Sequence, residues 1–220
     1  MKMIRQQAEK IKNKNYNIIS LGYNCYPRTL LTRYGLKKTR EQGELTMPFD
    51  LAVFATKEIT SNLRYDFKYF FDDLEYSKEQ KIWTRGKDKI QFRHDTWFGE
   101  FSRNELIDKY KKRIENFYSV VNDPNPLLIL QLLGDDEDAD NVYLQLRRLR
   151  QQTKFVFCVI DPNRLTKNLD KRIMVFDETA PEGYFENWWK KSCYSQKSAA
   201  GYEQKIIDFC IDSLNNHLSA

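Results

Sequence analysis

Histidine is nearly missing from this chain of 220 residues: His94 and His217 are the only two. Any reaction that needs an imidazole therefore has almost no choice of residue, and a His-rich catalytic zinc site is excluded by count. Cysteine is scarce too, and the four thiols at 25, 158, 193 and 210 contain no CxxC pair. That spacing offers no disulfide framework, so free thiols in a reducing compartment are expected. The eight glycines never form GxGxxG or GxxxxGK, which closes two common loop routes to nucleotide phosphates. Long hydrophobic runs are also lacking. The longest mostly apolar stretch, residues 127–133, is far shorter than the ~20 residues of a membrane-spanning helix. The N-terminus has no apolar h-region followed by a small-residue cleavage site. A cytoplasmic protein without a membrane span, metal or organic cofactor is expected.

What is present argues for a folded domain. Hydrophobic residues make up 41% and aromatics 14% of the chain, enough to bury a core and to exclude overall disorder. The 36 Lys and Arg against 31 Asp and Glu leave a net charge of only +5, with both signs scattered, so nucleic-acid binding is disfavoured. The basic cluster Arg28, Arg33, Lys37, Lys38 and Arg40 reads as a solvated helix face. The acidic run 134–140 lacks the turn glycine and closing glutamate of an EF-hand, and reads as a solvated loop leading into a helix.

Periodicity orders the elements. Residues 3–12 read as a helix, and residues 17–22 as a short strand closed by Gly22. Pro27 and Gly35 bracket a helix with Leu30, Leu31 and Tyr34 on its apolar face. A charged loop leads through Met47-Pro48-Phe49-Asp50 to a helix expected over 51–63, and the aromatic stretch 65–76 is ambiguous. Residues 89–93 alternate as a short strand, and residues 104–121 carry the helical period. Strand-like runs follow at 127–133, 155–160 and 173–176, with a helix at 139–151 between the first two. Continuous apolar strands alternating with helices predict a single α/β domain, with a mainly parallel central sheet flanked by helices on both faces. An N-terminal helix (1–14), a core (15–180) and a C-terminal helical segment (181–220) divide it.

One thiol stands apart. Cys158 lies in a core strand and Cys210 shares a helical stripe with Ile206, Ile207 and Leu214, so both read as small buried hydrophobes. Cys193 is left undetermined. Cys25 follows a strand and immediately precedes a proline-started helix, where unpaired N–H groups and the helix dipole favour a thiolate. In an open α/β sheet this is the carboxyl edge, where ligands lie. Backbone N–H groups of Cys25 and its neighbours offer an oxyanion hole, with Asn24, Tyr26 and Arg28 as surrounding oxyanion or binding candidates. A thiolate needs a base, and His94, itself after a short strand, is the only credible imidazole.

The segments Ile18-Ile19-Ser20-Leu21-Gly22-Tyr23-Asn24-Cys25, Met47-Pro48-Phe49-Asp50, Phe92-Arg93-His94-Asp95 and Lys112-Arg113-Ile114-Glu115-Asn116-Phe117 occur in order over roughly residues 15–165. In this the sequence resembles a bacterial family named for papain-like cysteine peptidases and otherwise of unknown function. The resemblance implies a nucleophile at Cys25 and a histidine partner at His94. A papain-like order would place the third group after the histidine, at Asp161 or Asn163; Asp50 and Asp95 are alternatives.

The leading expectation is a cysteine-dependent hydrolase acting on a peptide, amide or ester carbonyl. The alternatives are an acyl or glycosyl transferase-like enzyme and a non-catalytic domain binding a glycan or protein ligand through the same polar cluster. Trp83, Trp97, Phe98, Trp188 and Trp189 are candidates for a cleft lining, with core packing as the commoner fate of aromatics.

Overall fold

The structure, a computed structural model, describes residues 16–86, 89–96, 102–133, 139–150, 154–162 and 169–218. The expected N-terminal helix, the acidic residues 134–138, Trp97, Phe98 and Asn163 lie outside the described residues. Along the chain the elements are β1 (Asn17–Gly22), α1 (Tyr26–Arg33), β2 (Val53–Phe54), α2 (Thr56–Arg64), β3 (Leu74–Ser77), β4 (Ile82–Arg85), β5 (Ile90–Gln91), α3 (Arg93–Thr96) and α4 (Arg103–Val121). Then follow β6 (Leu127–Leu132), α5 (Ala139–Leu149), β7 (Phe155–Ile160), β8 (Ile173–Phe176), α6 (Tyr184–Asn187), α7 (Lys191–Tyr194) and α8 (Lys197–Leu218).

The apolar runs form a four-stranded sheet in the order β1-β6-β7-β8, parallel at every pairing. Alternation sends the two sets of side chains into different cores. Ile19, Leu21, Ile129, Phe157 and Val159 join a cluster with Phe92, Leu106, Tyr110, Phe117, Val142 and Leu146. Ile18, Leu128, Leu130, Val156, Cys158 and Ile160 join another with Leu30, Leu31, Ile206, Ile207 and Cys210. Burial on both faces is why these strands read as unbroken apolar runs rather than as polar–apolar alternation.

The expected parallel sheet is present, but it is not the whole of the architecture. A second four-stranded sheet, in the order β2-β5-β4-β3, is antiparallel throughout. Its strands run only two to four residues, too short to generate a periodic signal. The helix expected from residue 51 begins only at Thr56, because Val53 and Phe54 are drawn into pairing with Gln91 and Ile90. The ambiguous aromatic stretch turns through left-handed backbone at Asp66, Phe67 and Asp73 before entering β3. Phe54, Leu74 and Ile90 of this second sheet share one hydrophobic cluster with Ile19 and Phe157 of the parallel sheet. Helix α4 starts where a capping box sets it: Ser102 accepts from the Glu105 N–H, and the Glu105 carboxylate accepts from the Ser102 N–H.

Candidate active site

The nucleophile candidate is delivered by the parallel sheet. Gly22 ends β1 so close to β6 that an added Cβ would lie 3.2 Å from the backbone N and O of Leu132, a tight fit against main-chain atoms. The chain then turns, with the Tyr23 N–H donating to Leu132 O (3.2 Å) and the Phe54 N–H donating to Tyr23 O (3.3 Å). Asn24 Oδ1 accepts from the Tyr26 N–H (2.8 Å), an Asx turn that aims the chain into α1. Cys25 is the N-cap residue, and a proline stands in the first turn.

His94 comes from the antiparallel sheet. Phe92 is buried after β5, its N–H donating to Trp83 O (3.0 Å). The single turn α3 then lifts His94 toward α1, and Cys25 Sγ lies 3.0 Å from His94 Nε2. The structure therefore brings together two residues 69 positions apart. Both are partly buried, and that burial decides their electrostatics. It pushes the Cys25 thiol above its ordinary range, against the opposing pull of its own backbone N–H, the Arg28 charge and the Thr29 hydroxyl. Burial also pushes His94 down; the Asp95 carboxylate opposes this, and Arg28, Arg113 and Arg93 add to it. Burial thus works against the charged form of each partner, opposing the pull of the helix terminus toward a thiolate.

The candidate third groups separate clearly. Asp50 is fully buried, and its carboxylate accepts from Lys37 Nζ (2.8 Å), the Met47 N–H (2.8 Å) and the Ser20 hydroxyl. Arg28 Nε stands 3.9 Å away. Asp50 thus binds its own loop to β1 and is not directed at the imidazole. Asp95 is equally committed, accepting from both Nη atoms of Arg113 and from the Tyr110 hydroxyl, each at 2.8 Å. Asp161 lies fully buried just beyond β7, its N–H donating to Phe176 O (2.9 Å). It follows Phe157 and Val159 at the two-residue spacing of the strand, and both of those share a core cluster with Phe92.

Among the oxyanion and binding candidates, the Tyr26 N–H is spent on Asn24, and Pro27 has none. Arg28 Nη2 donates to Glu44 (2.8 Å). Lys38 of the basic cluster is exposed, but Arg28, Arg33 and Lys37 are drawn into ion pairs. Lys37 is buried against Glu44 (3.0 Å) and Asp50 (2.8 Å), and Arg33 pairs with Glu203. Trp188 packs 5.1 Å from the Tyr26 ring, Trp83 lies 5.5 Å from Tyr76, and Trp189 is exposed. Cys158 and Cys210 are buried and Cys193 is partly buried. Two residues escaped the sequence reading. Thr29, whose hydroxyl helps to pull the Cys25 thiol down, sits four residues after Cys25, one helical turn on, and that spacing was the available signal. Gln131 is fully buried at the carboxyl end of β6, and neither end of its amide has a partner among the described residues.

A thiol within hydrogen-bond reach of an imidazole, at the carboxyl edge of a parallel sheet, is the constellation of cysteine hydrolases and acyl transferases. Residues 16–163, well over half of the chain, match the family described as "Putative papain-like cysteine peptidase (DUF1796)", and the chain belongs to that family. No curated protein and no solved structure matches it. Among the described residues no helix is long and apolar enough to cross a membrane, and no group of three or more His, Cys, Asp or Glu is placed to hold a metal ion.

Proposed function

We propose that the protein is a cysteine-dependent hydrolase of a peptide, amide or ester carbonyl, with Cys25 as nucleophile and His94 as general base. The 3.0 Å approach of Cys25 Sγ to His94 Nε2 carries this reading. Since burial raises the thiol and lowers the imidazole, proton transfer accompanies attack: Nε2 takes the thiol proton as sulfur bonds to the carbonyl carbon. The carbonyl electrons move onto oxygen, beside the Cys25 N–H and the Asn24 amide nitrogen as donors. On collapse the leaving amine or alkoxide departs with the proton from Nε2, and a thioester remains. Water, giving a proton to the same imidazole, then bonds to the thioester carbon; the C–S bond breaks, the acid leaves, and Nε2 returns the proton to Cys25 Sγ. Asp161 is the candidate to orient the imidazole, since Asp50 and Asp95 are spent elsewhere. No cofactor enters these steps.

The upward push on the thiol also suits a second reading, a binding domain in which Cys25 is inert. Iodoacetamide labelling, followed residue by residue by mass spectrometry across pH, separates the two. A catalytic Cys25 reacts faster than Cys158 and Cys210, and loses much of its rate near neutral pH in His94→Ala, within the ~10²–10⁴-fold a positioned base contributes. Equal, slow labelling of Cys25 in wild type and variant sinks the hydrolase and leaves the binding domain.

A further inference from the structure

The turn that carries His94 is only four residues long and cannot hold its own geometry, since so short a helix closes almost no hydrogen bonds of its own. Something else fixes it. Asp95, the next residue, is 2% exposed and faces α4 rather than the imidazole. There it accepts two parallel bonds from the Arg113 guanidinium and one from the Tyr110 hydroxyl, all 2.8 Å, and pairs with Lys109 Nζ at 2.6 Å. Arg113 is itself 5% exposed and Tyr110 fully buried. The Arg113 guanidinium lies 4.5 Å over the Tyr110 ring, which in turn packs edge-on to Phe92 at 4.8 Å. The turn is thus gripped on both sides of His94, by Phe92 before it and Asp95 after it, and both grips end on the same stretch of α4.

We propose that Asp95, with Arg113 and Tyr110, is the positioning device of His94, anchoring its turn to α4 so that Nε2 meets Cys25 Sγ. This rests on the hydrolase reading above, and it assigns the cluster a role in reactivity rather than in stability alone. A bidentate carboxylate–guanidinium pair sets direction as well as distance, which a packed apolar contact would not. The groups whose charge reaches the imidazole are Asp95, Arg28, Arg113 and Arg93. Asp95 is the one anion among them, so Asp95→Asn lowers the titration of His94 further while leaving three cations beside it.

The test reads His94 and Cys25 separately. With two histidines in the chain, imidazole NMR titration follows His94 directly, assigned by its loss in His94→Ala. Asp95→Asn and Tyr110→Phe are compared with wild type, and Asp95→Asn is repeated in the His94→Ala background. A positioning role predicts a His94 titration shifted to lower pH in Asp95→Asn. It also predicts Cys25 alkylation slowed by about tenfold at neutral pH, a part of what a placed base contributes, with no further slowing once His94 is gone. Tyr110→Phe, which leaves no charge unpaired, keeps the protein folded if Asp95→Asn does not, and shows the rate loss more weakly. An unmoved His94 titration, or the same rate loss with and without His94, overturns the proposal. If His94→Ala leaves Cys25 labelling unchanged, the hydrolase reading fails by itself. The NMR shift then still reports whether Asp95 sets the imidazole.

Discussion

The thiol and the imidazole reach the candidate site from opposite kinds of structure. Cys25 rides on β1, whose neighbour β6 is bonded along six consecutive residue pairs, and it follows a glycine packed tightly against the Leu132 backbone. His94 rides on the end of β5, a strand of two residues, and on one isolated turn. The first side is held by backbone ladders and two apolar cores. The second is held by side chains: Phe92 in the core, and the Asp95–Arg113–Tyr110 cluster on α4. A ladder spreads its load over many bonds, while a side-chain anchor concentrates it in three or four. The base side is therefore where single substitutions should act on reactivity without first unfolding the molecule.

Two phenylalanines of equal burial test that contrast most severely. Phe157 on β7 and Phe92 are 0% and 1% exposed, and each changed to Ala is expected to cost about 3–5 kcal/mol of stability. Their effects on Cys25 should part. Phe157→Ala lowers the urea midpoint but leaves labelling of the folded protein close to wild type. Phe92→Ala brings Cys25 labelling down to the His94→Ala rate under conditions where far-UV dichroism shows the fold intact. If both variants slow Cys25 alike, the two sides are not mechanically distinct.

The same asymmetry governs what could be read from the sequence. Cys25 was legible because backbone requirements mark it: a glycine ending an apolar run, a tight turn, then a proline two residues into a helix. His94 was legible by elimination. The anchoring of Asp95 was not, since its partner Arg113 lies 18 residues away on another element, and nothing in either local pattern announces the pairing. Lys37 misled for the opposite reason. Its neighbours Lys38 and Arg40 suggest a wet surface, whereas Asp50 and Glu44 draw it to 4% exposure. The antiparallel sheet was invisible because strands of two to four residues carry no period.

Acid stability separates the two charged groups of the base side. Burial drives the folded His94 titration below its ordinary 6.5. For Asp95 burial pushes upward, but the bonds from Arg113 and Lys109 prevail and hold it below its ordinary 3.8. In both cases the folded value lies under the unfolded one, so the stabilisation is complete above the unfolded value and is lost as pH falls through the folded one. Stability should thus decline in two limbs, one starting near pH 6.5 and one near pH 3.8. Urea titrations between pH 8 and pH 3, on the order of ten points each, should show His94→Gln flattening the upper limb and Asp95→Asn the lower. An upper limb that survives His94→Gln would mean the imidazole is not desolvated as the geometry requires.

The smallest expected effect lies on the ladder side, at Gln131. Its amide is buried between Leu21 of β1 and Val159 of β7, and among the described residues neither its nitrogen nor its oxygen has a hydrogen-bond partner. A polar group buried without partners costs roughly 1–3 kcal/mol. Gln131→Met keeps the shape and removes the polar atoms, so unfolding should become harder by about that amount or remain unchanged. If Gln131 serves only the ladder, Cys25 labelling in Gln131→Met stays at the wild-type rate while stability holds or rises. A stabilised protein whose Cys25 labelling also falls would show that the strand side contributes a polar group to the site, and that the division between a rigid thiol side and a side-chain-held base side is incomplete. Natural sequences keep a destabilising buried amide when function needs it, and this substitution asks whether that is the case at the carboxyl end of β6.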